Sequence, residues 1–118
     1  MNYLDNDYLI PVILGGGKDA TRVARLVFDK TGIRPRVFAF EFSLEQKLLC
    51  KCSKFPTRGD FIMISELCAF AEKHDSEGSL LLIFTEENTR FIKDHSDEIE
   101  SRFITVSAHE LLQSFIEE

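Results

Sequence analysis

The sequence predicts a three-layer α/β sandwich built on a mostly parallel sheet of about four to five strands. Two features carry this prediction: apolar runs of strand length, and amphipathic helical patterns that alternate with them along the chain. The longest apolar runs are Leu9–Leu14 and Ser79–Phe84, and such runs are typical of strands buried on both faces of a sheet. Because strands and helices alternate throughout, successive strands are expected to be parallel with right-handed crossovers.

The first strand-helix-strand unit is the clearest part of the pattern. Leu9–Leu14 is followed by the glycine-rich segment Gly15–Asp19 and then by an amphipathic helix over Asp19–Thr31. Gly32 is expected to end this helix in a left-handed conformation. Arg36–Phe40 then supplies the second strand, which completes a β-α-β unit.

The middle of the chain is less regular. Ser43–Leu49 favours a short helix, and Lys51–Phe55 favours a short extra strand before Pro56 and Gly59 break the chain. Asp60 is predicted to cap a helix that runs to Lys73.

The last third of the chain repeats the strand-helix alternation. After Ser79–Phe84, Thr85–Asn88 is predicted to open a helix, with Thr85 as its cap. Arg102–Val106 is predicted as the last strand, and Ser107–Glu110 as a capping box that begins the final helix.

Length and composition limit the classes of protein that need consideration. The 118 residues support one domain over residues 1–118, and the net charge of −6 argues against nucleic-acid and anionic-membrane partners. No apolar run reaches the length of a membrane span, and the first residues lack the basic region of a signal peptide. Three cysteines, an odd number, fit a reducing compartment, so a cytoplasmic location is expected.

Two loops are expected to form one crevice. If the strands Leu9–Leu14 and Ser79–Phe84 are neighbours, Gly15–Asp19 and Thr85–Asn88 both lie at their carboxyl ends, where α/β sheets bind ligands. Glycine lets backbone N–H groups approach a ligand, and the following helix adds its positive dipole end. Glu86 and Glu87 are either acids of this crevice or partners of a helix dipole.

The glycine loop also matches a dinucleotide fingerprint. Gly15 to Ala20 fits the pattern G-x-G-x-x-A, and Glu41 follows the second strand, where such sites keep the acid that binds ribose. Gly15, Gly17 and Glu41 would then hold NAD, whereas the competing interpretation is a tight turn. A Walker A loop is absent, because no Gly-Lys-Ser/Thr follows at the required distance.

The remaining motifs do not assign a catalytic or metal-binding residue. In the segment from His109, Gln113 stands where the zinc motif needs its second histidine. Cys50 and Cys52 are expected to be packed thiols rather than a ligand pair, and Cys68 lies on the apolar stripe of its helix.

A family resemblance covers almost the whole chain. The segment Pro11–Gly16, followed by Ala24, Arg25, Phe28 and Gly32, resembles the opening of ATP-grasp carboxylate-amine ligases, especially bacterial proteins similar to D-aspartate ligase. The similarity continues through Leu80–Phe84 and through Phe103 and Ile104 to a helix with Glu110, Leu111 and Leu112. The part that it resembles is the N-terminal, Rossmann-like pre-ATP-grasp domain of that family.

The resemblance implies a role and a set of site residues. It implies an N-terminal fragment of a longer ligase, inactive alone, that packs on an ATP-grasp domain from the rest of its own chain. ATP and magnesium would belong to those missing domains, so this part would hold no cofactor itself. The loops would contact a small carboxylate or amine substrate through Gly15, Gly16, Gly17, Lys18, Asp19, Thr85, Glu86 and Glu87.

This chain departs from the family at two positions. Family members often have an acid directly after Gly-Gly and an Asp-rich turn after the third strand. Gly17 and Thr85 stand in those places here. The departures imply either a different substrate or a degenerate site.

Two other functions remain open at this stage. One is a stand-alone dinucleotide-binding domain. The other is a non-catalytic interaction domain whose apolar face pairs with a partner or forms a homodimer.

Overall fold

The structure, a computed structural model, describes residues 9–116, with the side chains of Asp75 and Ile116 excepted. Five strands form one parallel sheet in the order β3-β2-β1-β4-β5. The predicted α/β fold on a parallel sheet is confirmed. The strands are β1 (Leu9–Leu14), β2 (Arg36–Ala39), β3 (Lys51–Lys54), β4 (Ser79–Phe84) and β5 (Phe103–Ser107).

Six α-helices connect and cover these strands within the described range. Two short 3₁₀ turns, Asp75–Glu77 and Glu86–Asn88, lie on either side of β4. The helices are α1 (Lys18–Thr31), α2 (Leu44–Leu49), α3 (Asp60–His74), α4 (Thr89–Asp94), α5 (Ser96–Glu100) and α6 (Ala108–Ile116). No helix in residues 9–116 has the length and apolar character needed to cross a bilayer.

The sheet separates two apolar cores, which makes the molecule a three-layer sandwich. On one face, α1 and α6 cover side chains such as Ile13 and Ile83. On the other face, α3, α4 and α5 cover side chains such as Val12 and Leu82. Alternate residues of β1 and β4 therefore enter different cores, which explains why both strands are apolar apart from the exposed Ser79 at the start of β4.

Several helix ends agree with the sequence patterns. Gly32 is left-handed, with φ +72°, and its N–H donates to Phe28 O at 2.8 Å, as its predicted capping role requires. Ser43 and Gln46 form a reciprocal capping box at the start of α2. Ser107 Oγ accepts a hydrogen bond from the N–H of Glu110 at 3.0 Å, which confirms the cap of α6.

The predicted cap at Asp60 is wrong, and the predicted cap at Thr85 has the right position but no capping hydrogen bond from its side chain. Asp60 is the first residue of α3 rather than its cap, since the N–H of Met63 already donates to the Gly59 carbonyl at 3.1 Å. The Asp60 carboxylate instead lies 2.9 Å from His95 Nε2 and links α3 to the α4–α5 junction. Thr85 makes no capping bond, because its hydroxyl is engaged by neighbouring side chains.

Candidate functional site

The carboxyl ends of β1, β2 and β4 meet at the glycine loop. The N–H of Gly15 donates to Phe38 O on β2 at 2.8 Å, and the N–H of Thr85 donates to Leu14 O on β1 at 3.0 Å. Both loops are therefore fixed to the sheet by backbone hydrogen bonds. From β1 the chain continues to β2 on one side in the sheet, and from β4 it continues to β5 on the other side. The position between β1 and β4 is therefore the topological switch point, where parallel α/β sheets open a crevice.

Only glycine fits at position 15. Its φ of +118° is unfavourable for any L-residue with a side chain, and a β-carbon there would overlap the hydroxyl of Thr85. The same β-carbon would lie 2.8 Å from Asn88 Nδ2. The glycine thus lets the loop after β1 pack directly against the loop after β4.

A small hydrogen-bond network holds the loop after β4. Thr85 is 4% exposed, and its Oγ1 donates to Glu87 Oε1 at 3.1 Å and accepts from Asn88 Nδ2 at 3.0 Å. Asn88 Nδ2 also lies 3.4 Å from Leu14 O. The network orients the carboxylate of Glu87 and ties the loop to the end of β1.

Next to this junction lies a cavity of about 450 Å³, within the size range of small-molecule sites. The glycine loop forms one wall, and the ends of β2 and β3 form another. The lining residues are Leu14, Gly15, Gly16, Gly17, Phe38, Ala39, Phe40, Glu41, Phe55, Arg58, Met63, Glu87 and Asn88.

Arg58 supplies the cationic side chain of the cavity lining. Its guanidinium lies 4.7 Å from the centre of the Phe40 ring, in a cation–π contact. The Phe40 ring in turn contacts Phe55, with ring centres 5.2 Å apart. Among the described residues, no carboxylate lies within ion-pair distance of Arg58, so its charge is available to a ligand.

The glycine loop lines this cavity up to Gly17, directly before α1 begins. Gly17 has φ +91° and precedes the helix, whose first-turn N–H groups have no acceptors within the helix. A β-carbon at Gly16 would lie 3.2 Å from the carbonyl oxygen of Glu41, so the loop also packs closely on the end of β2. The Glu41 side chain is exposed at the rim.

The structure brings together some of the residues that the sequence singles out. Gly15, Gly16, Gly17, Glu41 and Glu87 all line the cavity, and Thr85 is buried directly behind its wall. The other three predicted site residues, Lys18, Asp19 and Glu86, do not line this cavity. Lys18 faces a separate cavity of about 480 Å³ between α1 and α2, and the carboxylate of Asp19 lies 3.9 Å from the guanidinium of Arg22. Glu86 is exposed to solvent.

Sequence reasoning missed Arg58 and the aromatic wall formed by Phe40 and Phe55. The available signal was topological. Pro56 to Gly59 follows a parallel strand, so it had to reach the same edge of the sheet as the glycine loop. Asn88 lies inside the predicted second loop and bonds locally to Thr85, but its contact with Leu14 depends on the pairing of β1 with β4.

The thiols lie apart from this cavity. Burial raises the pKa of the Cys50 thiol to about 11, and burial also raises the pKa of Cys52. Within residues 9–116, no three His, Cys, Asp or Glu side chains are grouped so as to hold a metal ion.

Comparison of the chain with family models, with curated proteins and with solved structures finds no significant match.

Proposed function

We propose that this chain is the pre-ATP-grasp domain of an ATP-dependent carboxylate-amine ligase, with a small carboxylate or amine substrate bound in the crevice. The observation that carries the proposal is the junction of Gly15 with Thr85 and Asn88, beside a cavity of about 450 Å³. It supports the proposal because the two loops that the family resemblance assigns to the substrate cleft lie against each other.

The lining offers complementary groups for such a substrate. A carboxylate would accept hydrogen bonds from Arg58 and from backbone N–H groups of the glycine loop, Gly15–Gly17, which lines the same cavity. An amine would donate to the carboxylate of Glu87, which the Thr85 hydroxyl holds in place. On this proposal, ATP and magnesium bind to the other domains of the ligase, and this domain alone does not turn over ATP.

The proposal includes a cytoplasmic location. Its support is the presence of three free cysteines, Cys50, Cys52 and Cys68, which suits a reducing compartment.

Calorimetric titration with a panel of amino acids and dicarboxylic acids tests the proposal. We expect millimolar binding of at least one compound, weakened about tenfold by Arg58→Gln because one charge-assisted contact is lost. The control is Arg90→Gln, which alters an exposed arginine that lies 3.6 Å from Asp94 and outside the crevice. Equal loss in both variants, or no binding by any compound, would contradict the proposal.

An ATPase assay on this polypeptide tests the division of labour between domains. We expect no magnesium-dependent release of phosphate above background. Turnover that depends on the chain would show that its own residues carry the chemistry.

A second candidate is a dinucleotide site. The close approach of Gly16 to the backbone of Glu41 favours it, because it places the carboxyl end of β2 beside the glycine loop. NAD binding that falls about tenfold in Glu41→Gln would support this candidate. No NAD binding at all would remove it.

A further inference from the structure

The sheet ends at β3, and the outer side of this strand is open. The N–H of Lys51 donates to Pro35 O at 2.8 Å and that of Phe55 to Ala39 O at 3.1 Å, so odd-numbered residues of β3 face β2. By alternation, the N–H groups of Cys52 and Lys54 face away from the sheet. No strand in residues 9–116 pairs with that side, which leaves a template for another strand.

Helix α2, which precedes this edge strand, exposes two large apolar side chains. Leu44 is 74% exposed and Leu48 is 70% exposed. They are four residues apart, so they lie on one face of the helix. Single exposed apolar residues are common, but a pair on one helix face beside an open sheet edge indicates a contact surface.

The same region concentrates positive charge on an acidic protein. Residues 34–58 contain six of the fourteen basic residues and two of the twenty acidic ones, although the whole chain has a net charge of −6. Lys47, Lys51 and Lys54 are exposed, and no carboxylate among the described residues lies within ion-pair distance of them. We define the β3-edge surface as Leu44, Lys47, Leu48, Lys51 and Lys54.

We infer that the β3-edge surface binds an acidic, extended peptide segment with apolar side chains, which adds to the sheet as a sixth strand. The open N–H groups of Cys52 and Lys54 would bond to the backbone of the segment. Lys51 and Lys54 are three residues apart on the strand, so they project from opposite faces of the sheet and would meet carboxylates on both faces of the segment. Lys47 and the two leucines of α2 would add a charge and an apolar cover on one of these faces.

Two other occupants fit the surface less well. A second copy paired through the same edge would bring the lysines of both copies together, and like charges across strands are destabilising. An anionic lipid surface would attract the lysines, but it would leave the backbone groups of the edge without strand partners. A peptide strand satisfies the charges, the leucines and the backbone together.

Fluorescence anisotropy with a labelled ten-residue peptide that repeats Glu-Glu-Val-Val, and so carries Glu and Val on both faces of a strand, tests the inference. The matched control peptide repeats Lys-Lys-Val-Val. A third peptide keeps the Glu-Glu-Val-Val sequence but carries methyl groups on alternate backbone nitrogens, which blocks strand pairing. We expect the acidic peptide to bind at least about tenfold more tightly than either control, and its affinity to fall as salt rises.

Variants of the protein separate the contributions that the leucines, the lysine charge and the outward backbone N–H make to binding. The double variant Leu44→Ser with Leu48→Ser should weaken binding about tenfold, whereas Phe61→Ser should not, although Phe61 is 82% exposed. Lys54→Pro should weaken binding more than Lys54→Gln, because both remove the charge but only proline removes the outward N–H. Circular dichroism checks that each variant is folded.

Three results would overturn the inference. The first is equal affinity for the acidic and basic peptides, or no binding of either. The second is undiminished binding of the methylated peptide, which would show attraction by charge alone. The third is binding to phosphatidylserine vesicles, or dimer formation lost in the leucine variant, without binding of the acidic peptide.

Discussion

Gly15 at the end of β1 is packed so closely on Thr85 after β4 that a single methyl group at Gly15 would overlap the Thr85 hydroxyl. This contact joins the two loops of the crevice. It also explains why a glycine is needed at the first position of the loop, where the backbone has φ +118°.

The first prediction follows from that contact. Gly15→Ala should lower the free energy of unfolding by about 2–4 kcal/mol, because it combines an unfavourable φ with overpacking. Gly17→Ala is the matched control: its φ is also positive, at +91°, but a β-carbon there meets no atom within 4 Å. We expect Gly17→Ala to lower the free energy of unfolding by about 1 kcal/mol, as measured by urea titration. Equal losses would show that the contact with Thr85 does not constrain the loop.

A second prediction concerns the coupling between Thr85 and Asn88. Thr85→Val and Asn88→Leu should each cost about 1–3 kcal/mol, because each leaves a polar partner unsatisfied. The double variant should lose less unfolding free energy than the sum of the two single losses. The reason is that either single variant already removes the 3.0 Å hydrogen bond between the two side chains, so the double variant cannot lose it twice. Additive costs would show that the two residues act independently.

The pKa of Cys50 gives a prediction for alkaline pH. Burial raises this pKa from 9.0 in the unfolded chain to about 11, so the folded state holds the proton more tightly. The resulting stabilisation is complete below pH 9 and is lost as the pH rises towards 11.

Urea titrations across that range measure the effect. The wild-type protein should lose about 2 kcal/mol more than Cys50→Val over this interval. Cys52→Val should give a smaller difference, because Cys52 is only half-buried. A fall in stability that is identical in wild type and Cys50→Val would assign the effect to other groups.

The capping box of α2 supports the helix that carries Leu44 and Leu48. Ser43 Oγ accepts from the N–H of Gln46 at 3.1 Å, and Gln46 Oε1 accepts from the N–H of Ser43 at 2.9 Å. Ser43→Ala should cost about 1 kcal/mol in thermal or urea unfolding. Ser43→Asp keeps a side-chain acceptor, so it should retain most of the wild-type stability. If Ser43→Asp lost as much stability as Ser43→Ala, the role of the cap would be contradicted.

The sequence predicted the helix ends that depend on interactions between residues close together in the chain. Gly32 ends α1 in the left-handed conformation that its position indicated, and Ser43, where the short helix was predicted to start, caps α2. Thr85 shows the limit of this reasoning: it stands at the predicted cap position, but its hydroxyl bonds to the side chains of Glu87 and Asn88 instead of to a backbone N–H.

The candidate site was predictable only in part, because it depends on contacts between elements that are distant in sequence. β1 pairs with β4, which meets the condition under which the sequence places the two loops in one crevice. Phe55 and Arg58 enter the site because they follow β3, which lies beside β2; the less regular sequence of that region made this strand hard to place. Lys18 and Asp19 follow the glycines in sequence, but α1 carries them away from the cavity.

Amide chemical-shift mapping of the ¹⁵N-labelled protein tests the central claim most directly. The protein is titrated separately with a panel of small amino acids and dicarboxylic acids, with NAD, and with magnesium-ATP. The account predicts that at least one carboxylate or amine shifts the amides of Gly15–Gly17, Arg58 and Glu87–Asn88, while magnesium-ATP leaves them in place. Shifts caused by NAD alone, or no shift at these amides with any compound, would contradict it.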